Sequence, residues 1–171
     1  MKKVTQIMPL KTVDLSQNTF RKIILKSSGL TRILESRIEI NAPVSVVWEV
    51  LIDVESWGKW NSFIPLVKGN LAVGNTIKIN VVSPGMRAMV FEPSVYEIEE
   101  YQKISWGGGF LMFVYKGIHE FLLEQIEEDI TCFKQIEKFQ GPIVLLMKDM
   151  IRKTAVGYMN MNEELKHYLE Q

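Results

Sequence analysis

The sequence predicts an α+β domain, with a curved antiparallel sheet of about seven strands closed by one long C-terminal helix. Three observations carry this. Residues 110–141 read as two long strands around a tight turn. Short strand-like segments separated by Gly, Pro and Asn turn chemistry fill most of residues 33–109. After Pro142 the period changes to that of an amphipathic helix, with Ile143, Met147, Met150, Ile151, Thr154, Tyr158, Met161, Leu165 and Leu169 at three- and four-residue steps. Strands followed by a helix, rather than alternating with helices, belong to the α+β class.

The chain has 171 residues, the size of one domain, and is 47% hydrophobic, enough for a large core. Lys plus Arg equals Asp plus Glu, 20 against 20, so charge gives no footprint for nucleic acid. The charge is unevenly spread. Residues 1–30 carry six basic side chains against Asp14 alone, a balance of +5, and the remainder carries −5. A basic arm on an acidic body reads first as intramolecular docking, and second as attraction to anionic headgroups. The single cysteine, Cys132, excludes an internal disulfide and fits a reducing compartment. No apolar run approaches the ~18 residues of a membrane-spanning helix. Lys2 and Lys3 precede no apolar segment of signal-peptide type, so a cytoplasmic protein is expected.

Residues 1–32 read as an N-terminal extension and 33–171 as the domain. In the extension, Asp14 or Ser16 suits the cap of a short helix carrying Leu15, Phe20, Ile23 and Ile24, stopped by Gly29. The run Ile23-Ile24-Leu25 suits a strand equally well. Ile33–Ile40 alternates as a strand. Asn41-Ala42-Pro43 ends it and opens a helix with Val47, Trp48, Leu51 and Ile52 on one face. Asp53 suits the start of a second, short helix. Trp57, Trp60 and Phe63 then cluster around Asn61, as core or as a binding platform. Strands are predicted at Ile64–Lys68, Thr76–Val82, Arg87–Glu99 and Lys103–Trp106. Pro93 inside the third marks an edge or a bulge. Gly107-Gly108-Gly109 has no Lys-Ser/Thr after it, so it reads as a flexible tip or bulge and not as a phosphate cradle.

The hairpin carries the chemistry. Alternation puts His119, Phe121 and Leu123 on one face of the first arm, and Phe133, Gln135, Glu137 and Phe139 on one face of the second. With the turn centred on Glu128, Leu123 faces Phe133, Phe121 faces Gln135, and His119 faces Glu137. The His–Glu pair is then either a satisfied polar pair in a core or the polar end of a ligand cavity. Cys132 falls on the opposite face and is no candidate nucleophile. Gly157 falls inside the final helix at a cost of about 1 kcal/mol relative to Ala, which close approach of a strand would explain. The methionines of that helix suit core packing or an adaptable binding surface. His167 reads as a surface residue at the helix end.

The stretches Ile38–Pro43, Val47–Leu51, Trp60–Pro65, Phe91–Val95, Ile104–Trp106, Gly117–Phe121 and Glu137–Gly141 together resemble the START-like superfamily, also called Bet v 1-like or SRPBCC. Within it, the chain is most similar to proteins described as polyketide cyclase/dehydrase or lipid-transport-like. The resemblance spans about residues 33–170. It implies the helix-grip fold, in which sheet and C-terminal helix enclose an elongated apolar cavity for lipids, polyketides or other hydrophobic molecules. Carried onto this chain, the strands would line that cavity with Phe91, Trp106, His119, Phe121, Phe133, Gln135, Glu137 and Phe139. The helix would add Met147, Met150, Ile151 and Thr154. No cofactor and no metal is implied, since His119 and His167 are far apart in sequence.

Three functions follow from the residues and the resemblance. The first is non-covalent binding of a hydrophobic or amphipathic small molecule. The second is a cyclase or dehydratase using His119 and Glu137 as acid and base. The third is a protein-interaction module of co-chaperone type, with the extension available to a partner.

Overall fold

The computed structural model describes residues 11–14, 22–111 and 113–171. Its elements are β1 (Lys11–Asp14), β2 (Lys22–Ser28), β3 (Thr31–Ile40), α1 (Val44–Ile52), a 3₁₀ helix (Val54–Lys59), β4 (Leu66–Lys68), β5 (Lys78–Val81), β6 (Met89–Phe91), β7 (Ser94–Glu99), β8 (Lys103–Phe110), β9 (Tyr115–Glu127), β10 (Ile130–Gln140), a second 3₁₀ helix (Pro142–Leu146) and α2 (Lys148–Leu169). Seven strands form one antiparallel sheet in the order β1-β2-β3-β10-β9-β8-β7, and β4-β5-β6 form a separate small sheet. The architecture is the predicted α+β helix-grip fold, with α2 packed on the concave face of the large sheet.

The central hairpin has the predicted register. Leu123 pairs with Phe133, Phe121 with Gln135, and His119 with Glu137. The turn is Glu128-Asp129, one residue shorter than expected, and an irregularity at Ile130/Thr131 restores the register.

Several expectations change. The short helix expected in the extension does not form over residues 22–28, where Ile23, Ile24 and Leu25 lie in β2, paired along β3. Ile23 is fully buried, which a strand on a curved sheet provides and an isolated helical turn would not. Leu15, Ser16 and Phe20 lie outside the described residues. The strand expected over Arg87–Glu99 is split at Glu92-Pro93 into β6 and β7, which belong to different sheets. Pro93 cannot donate to a ladder, but its carbonyl accepts from the Ile77 amide at 3.0 Å. The glycine run is neither a tip nor a bulge. Gly107, Gly108 and Gly109 are paired within β8 against Ile118, Gly117 and Lys116. A Cβ on Gly107 would stand 2.4 Å from the Gly117 carbonyl oxygen, so the missing side chains let β8 and β9 close together. Ile52, expected on the apolar face of α1, is exposed, while Val47, Trp48 and Leu51 are buried. The final helix begins at Lys148, after a separate 3₁₀ turn, rather than running unbroken from Ile143.

The core is organised around Trp57, which is fully buried and packs its ring on Trp60, Trp106 and Phe121. Trp57 and Trp60 of the aromatic cluster are therefore core. Asn61 shapes the segment that follows, because its Oδ1 accepts from the Phe63 amide at 3.1 Å and the Ile64 amide at 2.8 Å. That turn drives Phe63 onto α2 at Gly157. The close approach at this glycine is an aromatic ring and not a strand, since an added Cβ would lie 2.2 Å from Phe63 Cδ2. The C-terminal half of α2 is tied to β3. Asn162 donates to Ser36 Oγ at 3.3 Å, and the Lys166 ammonium donates to the Glu39 carbonyl at 2.8 Å. Among the described residues no helix is long and apolar enough to cross a membrane.

The Gly157 contact gives a stability test. Alanine is the better helix former by about 1 kcal/mol, yet Gly157→Ala is expected to destabilise the fold by about 1–3 kcal/mol, because a buried ring must move. Denaturant unfolding of the two proteins measures the difference, and a neutral or stabilising result would contradict the packing described.

Candidate functional site

Pairing across β8, β9 and β10 sets up successive rows on the concave face. One row is Trp106, His119 and Glu137. The row on one side is Ile104, Phe121 and Gln135, continuing to Ser36 of β3. The row on the other side is Gly108, Gly117 and Phe139. The face therefore changes along the strands from bulky to nearly bare.

α2 covers these rows unevenly. Over the bulky row, Gln135 Nε2 donates to Asn162 Oδ1 at 2.6 Å, and Phe121 and Phe133 stack beneath. Over the next row sits Tyr158. Its hydroxyl donates to Glu137 Oε2 at 2.9 Å and lies 3.1 Å from His119 Nδ1. His119 Nδ1 is itself 3.2 Å from the same carboxylate oxygen. Three polar atoms thus close a triangle, and all three residues are buried. With Tyr158 donating to Glu137, Nδ1 faces acceptors only, which places the imidazole proton on Nδ1. Nε2 is buried with no partner. Burial, and then the charge of Glu137, pushes the Tyr158 hydroxyl well above the usual phenol range. The same two causes raise Tyr115.

Beside the bare row lies a cavity of about 270 Å³. Its walls come from three places. The large sheet supplies Trp106, Gly107 to Phe110, Tyr115, Gly117, His119, Glu137 and Phe139. The small sheet and its connections supply Ile79, Val81, Ser83, Met89, Phe91, Glu92 and Pro93, with Phe63 and Ile64 behind them. α2 supplies Met150, Thr154 and Tyr158, one every four residues along a single stripe. Phe91 and Phe110 are partly exposed where the cavity meets solvent.

Of the twelve expected lining residues, Phe91, Trp106, His119, Glu137, Phe139, Met150 and Thr154 border this cavity. Phe121, Phe133, Gln135, Met147 and Ile151 do not. The first three share the face of His119 but lie further along the strands, under the part of α2 that is clamped to β3. Ile151 points with Ala155 into the core, and Met147 precedes the helix. The readable omissions were Tyr158, one step beyond Met150 and Thr154, and Tyr115, which alternates with Gly117 and His119. Ile79, Val81 and Met89 gave no local signal, because their place depends on how one sheet packs on another. Among the described residues no group of three or more His, Cys, Asp or Glu is placed to hold a metal ion. Cys132 is buried, and burial raises its thiol.

The sequence profile of the polyketide cyclase / dehydrase and lipid transport family matches residues 31–169. The chain belongs to this family. It thereby falls in the START-like, or SRPBCC, superfamily, as the sequence resemblance indicated. Among solved structures, the Zhui aromatase/cyclase from Streptomyces sp. R1128 superposes with a TM-score of 0.68 at 13% identity, over 82% of this chain and 94% of that one. A START superfamily protein from Mycobacterium smegmatis gives a TM-score of 0.55 at 17% identity, over 78% and 98%. A conserved protein of unknown function from Enterococcus faecalis gives 0.59 at 13% identity, over 86% and 88%. At these identities the likeness of this family member to each of them is one of fold. A search of curated protein sequences gives no match.

Two outcomes test the geometry. Tyr158→Phe removes one of the two donors to Glu137 Oε2, and is expected to cost about 1–3 kcal/mol in denaturant unfolding while keeping the fold. The raised hydroxyls also set a pH dependence. An unfolded tyrosine releases its proton near pH ~10, whereas folded Tyr115 and Tyr158 hold theirs. Above that pH the unfolded chain binds fewer protons, so stability falls as pH rises. Tyrosinate absorbance of the native protein should lag that of the unfolded chain by at least two residues, and simultaneous ionisation of every tyrosine would contradict the burial.

Proposed function

We propose that this protein binds a hydrophobic or amphipathic small molecule non-covalently in the cavity between large sheet, small sheet and α2. The observation that carries the reading is the composition of the wall, which is mostly apolar and aromatic, with one buried cluster of His119, Glu137 and Tyr158 and, apart from it, only Ser83, Glu92 and Thr154 as non-aromatic polar side chains. Mostly apolar concavities with a few convergent polar groups are the usual form of small-molecule sites. The volume lies just below the ~300–1,000 Å³ of drug-sized ligands, so the ligand is small or the small sheet yields to it. A cytoplasmic location agrees with the single reduced cysteine.

A second reading, catalysis of cyclase or dehydratase type, is favoured by one feature. His119 bears an unpartnered ring nitrogen and is oriented by a carboxylate through the other, which suits an acid–base residue. The family description allows either role.

Native mass spectrometry of freshly purified protein, followed by organic extraction, tests the first reading. A hydrophobic molecule is expected to travel with the protein and to be released on extraction. Protein that carries nothing, and takes up no apolar probe when titrated, would overturn it. His119→Gln separates the two readings. In a carrier it changes affinity alone. In an enzyme acting on the extracted molecule it abolishes turnover while binding persists.

A further inference from the structure

The cavity has an unusual electrostatic make-up. Its charged lining residues are Glu92 at the mouth and Glu137 inside, and no Lys or Arg borders it. Glu137 is buried, and among the described residues its one ion-pair partner is His119, through Nδ1. Among the described residues no Lys or Arg pairs with Glu137. A buried carboxylate with no Lys or Arg beside it is costly, and its cost falls when a further positive charge arrives.

The two carboxylate oxygens are not equivalent. Oε2 takes Tyr158 and His119. Oε1 lies over Gly117, 3.1 Å from where a Cβ would be, and Tyr115 Oη lies 2.7 Å from the same point. Gly117 borders the cavity, and the side chain it lacks is the one that would have covered Oε1. The wall of the same cavity carries the aromatic rings of Trp106, Tyr115, Phe139 and Tyr158, with the Tyr115 hydroxyl beside Gly117 next to this oxygen. Aromatic faces gathered near a carboxylate form an environment that attracts an ammonium group through the ring quadrupoles.

We infer that the ligand carries a protonated amine, placed against Glu137 Oε1 within these rings, and that the cavity discriminates against carboxylates and phosphates. The inference rests on the cavity being a ligand site. It narrows the ligand from any hydrophobic molecule to a cationic amphiphile, with an apolar body toward Phe91 and Phe110 at the mouth. A fatty acid or phospholipid headgroup would bring its negative charge toward Glu137, where no Lys or Arg borders the cavity, while Glu92 at the mouth is already paired with Lys78 at 3.7 Å.

Calorimetric titration of the purified protein with a matched series tests this. The probes are 1-naphthylmethylamine, 1-naphthalenemethanol and 1-naphthoate at neutral pH, which share one ring system and differ in the head. The amine should bind at least about tenfold tighter than the alcohol, the scale of a desolvated ammonium–aromatic contact, and the acid should bind weakest. Glu137→Gln keeps the shape and a carbonyl acceptor but removes the charge. It should bring the amine down to the affinity of the alcohol measured on the same variant. Equal affinity of amine and alcohol in the wild type, or tightest binding of the acid, would overturn the inference while leaving the cavity reading intact. Binding of none of the three would overturn both. The wild-type ranking decides the matter even if Glu137→Gln does not fold.

Discussion

The register of the β9–β10 hairpin is the constraint on which the site depends. Side chains alternate faces along a strand, so a slip of one residue would send His119 and Glu137 to the convex surface. In the observed register they lie side by side on the concave face, and Tyr158 comes down onto both from α2. The hairpin also supplies the floor of the cavity and the centre of the seven-stranded sheet. One pairing choice thus fixes the core, the polar cluster and the bare patch together.

Much of the fold could be read from the sequence. The hairpin, the antiparallel order and the final helix follow from period and turn chemistry, which act over a few residues. What escaped reading depended on distant packing. Ile23 and Ile24 fit a helix or a strand equally until β3 offers an edge to pair with. Pro93 could mark an edge, a bulge or a break, and only the existence of two sheets decides between them. Gly107 to Gly109 looked like slack chain because nothing nearby in sequence shows that the neighbouring backbone crowds them.

The candidate site was partly legible for a related reason. Alternation tells which face a residue takes, but not how far along that face the helix covers it. His119 and Phe121 are therefore equivalent in sequence and different in space, one bordering the cavity and the other sealed beneath Trp57. The four-residue stripe of Met150, Thr154 and Tyr158 was present in the pattern. Its meaning needed the knowledge that the opposite half of α2 is clamped to β3 through Asn162 and Lys166.

The division into two sheets has a mechanical consequence. The inner wall of the cavity belongs to the large sheet, whereas Ile79, Val81, Met89 and Phe91 belong to the small one. The small sheet is fastened to the large sheet near Asn75 and Ile77, which bond to Val95 and Pro93. Beyond that fastening its three strands keep their own ladder. Its far end is held by the Val82 amide on the Phe63 carbonyl at 2.8 Å, and the turn after β5 by the Lys153 ammonium of α2 on the Gly85 carbonyl at 3.2 Å. The girth of a guest the cavity admits therefore depends on how the two sheets sit against one another, a relation set in part by Asn75, Ile77 and Val95, which do not themselves line the cavity.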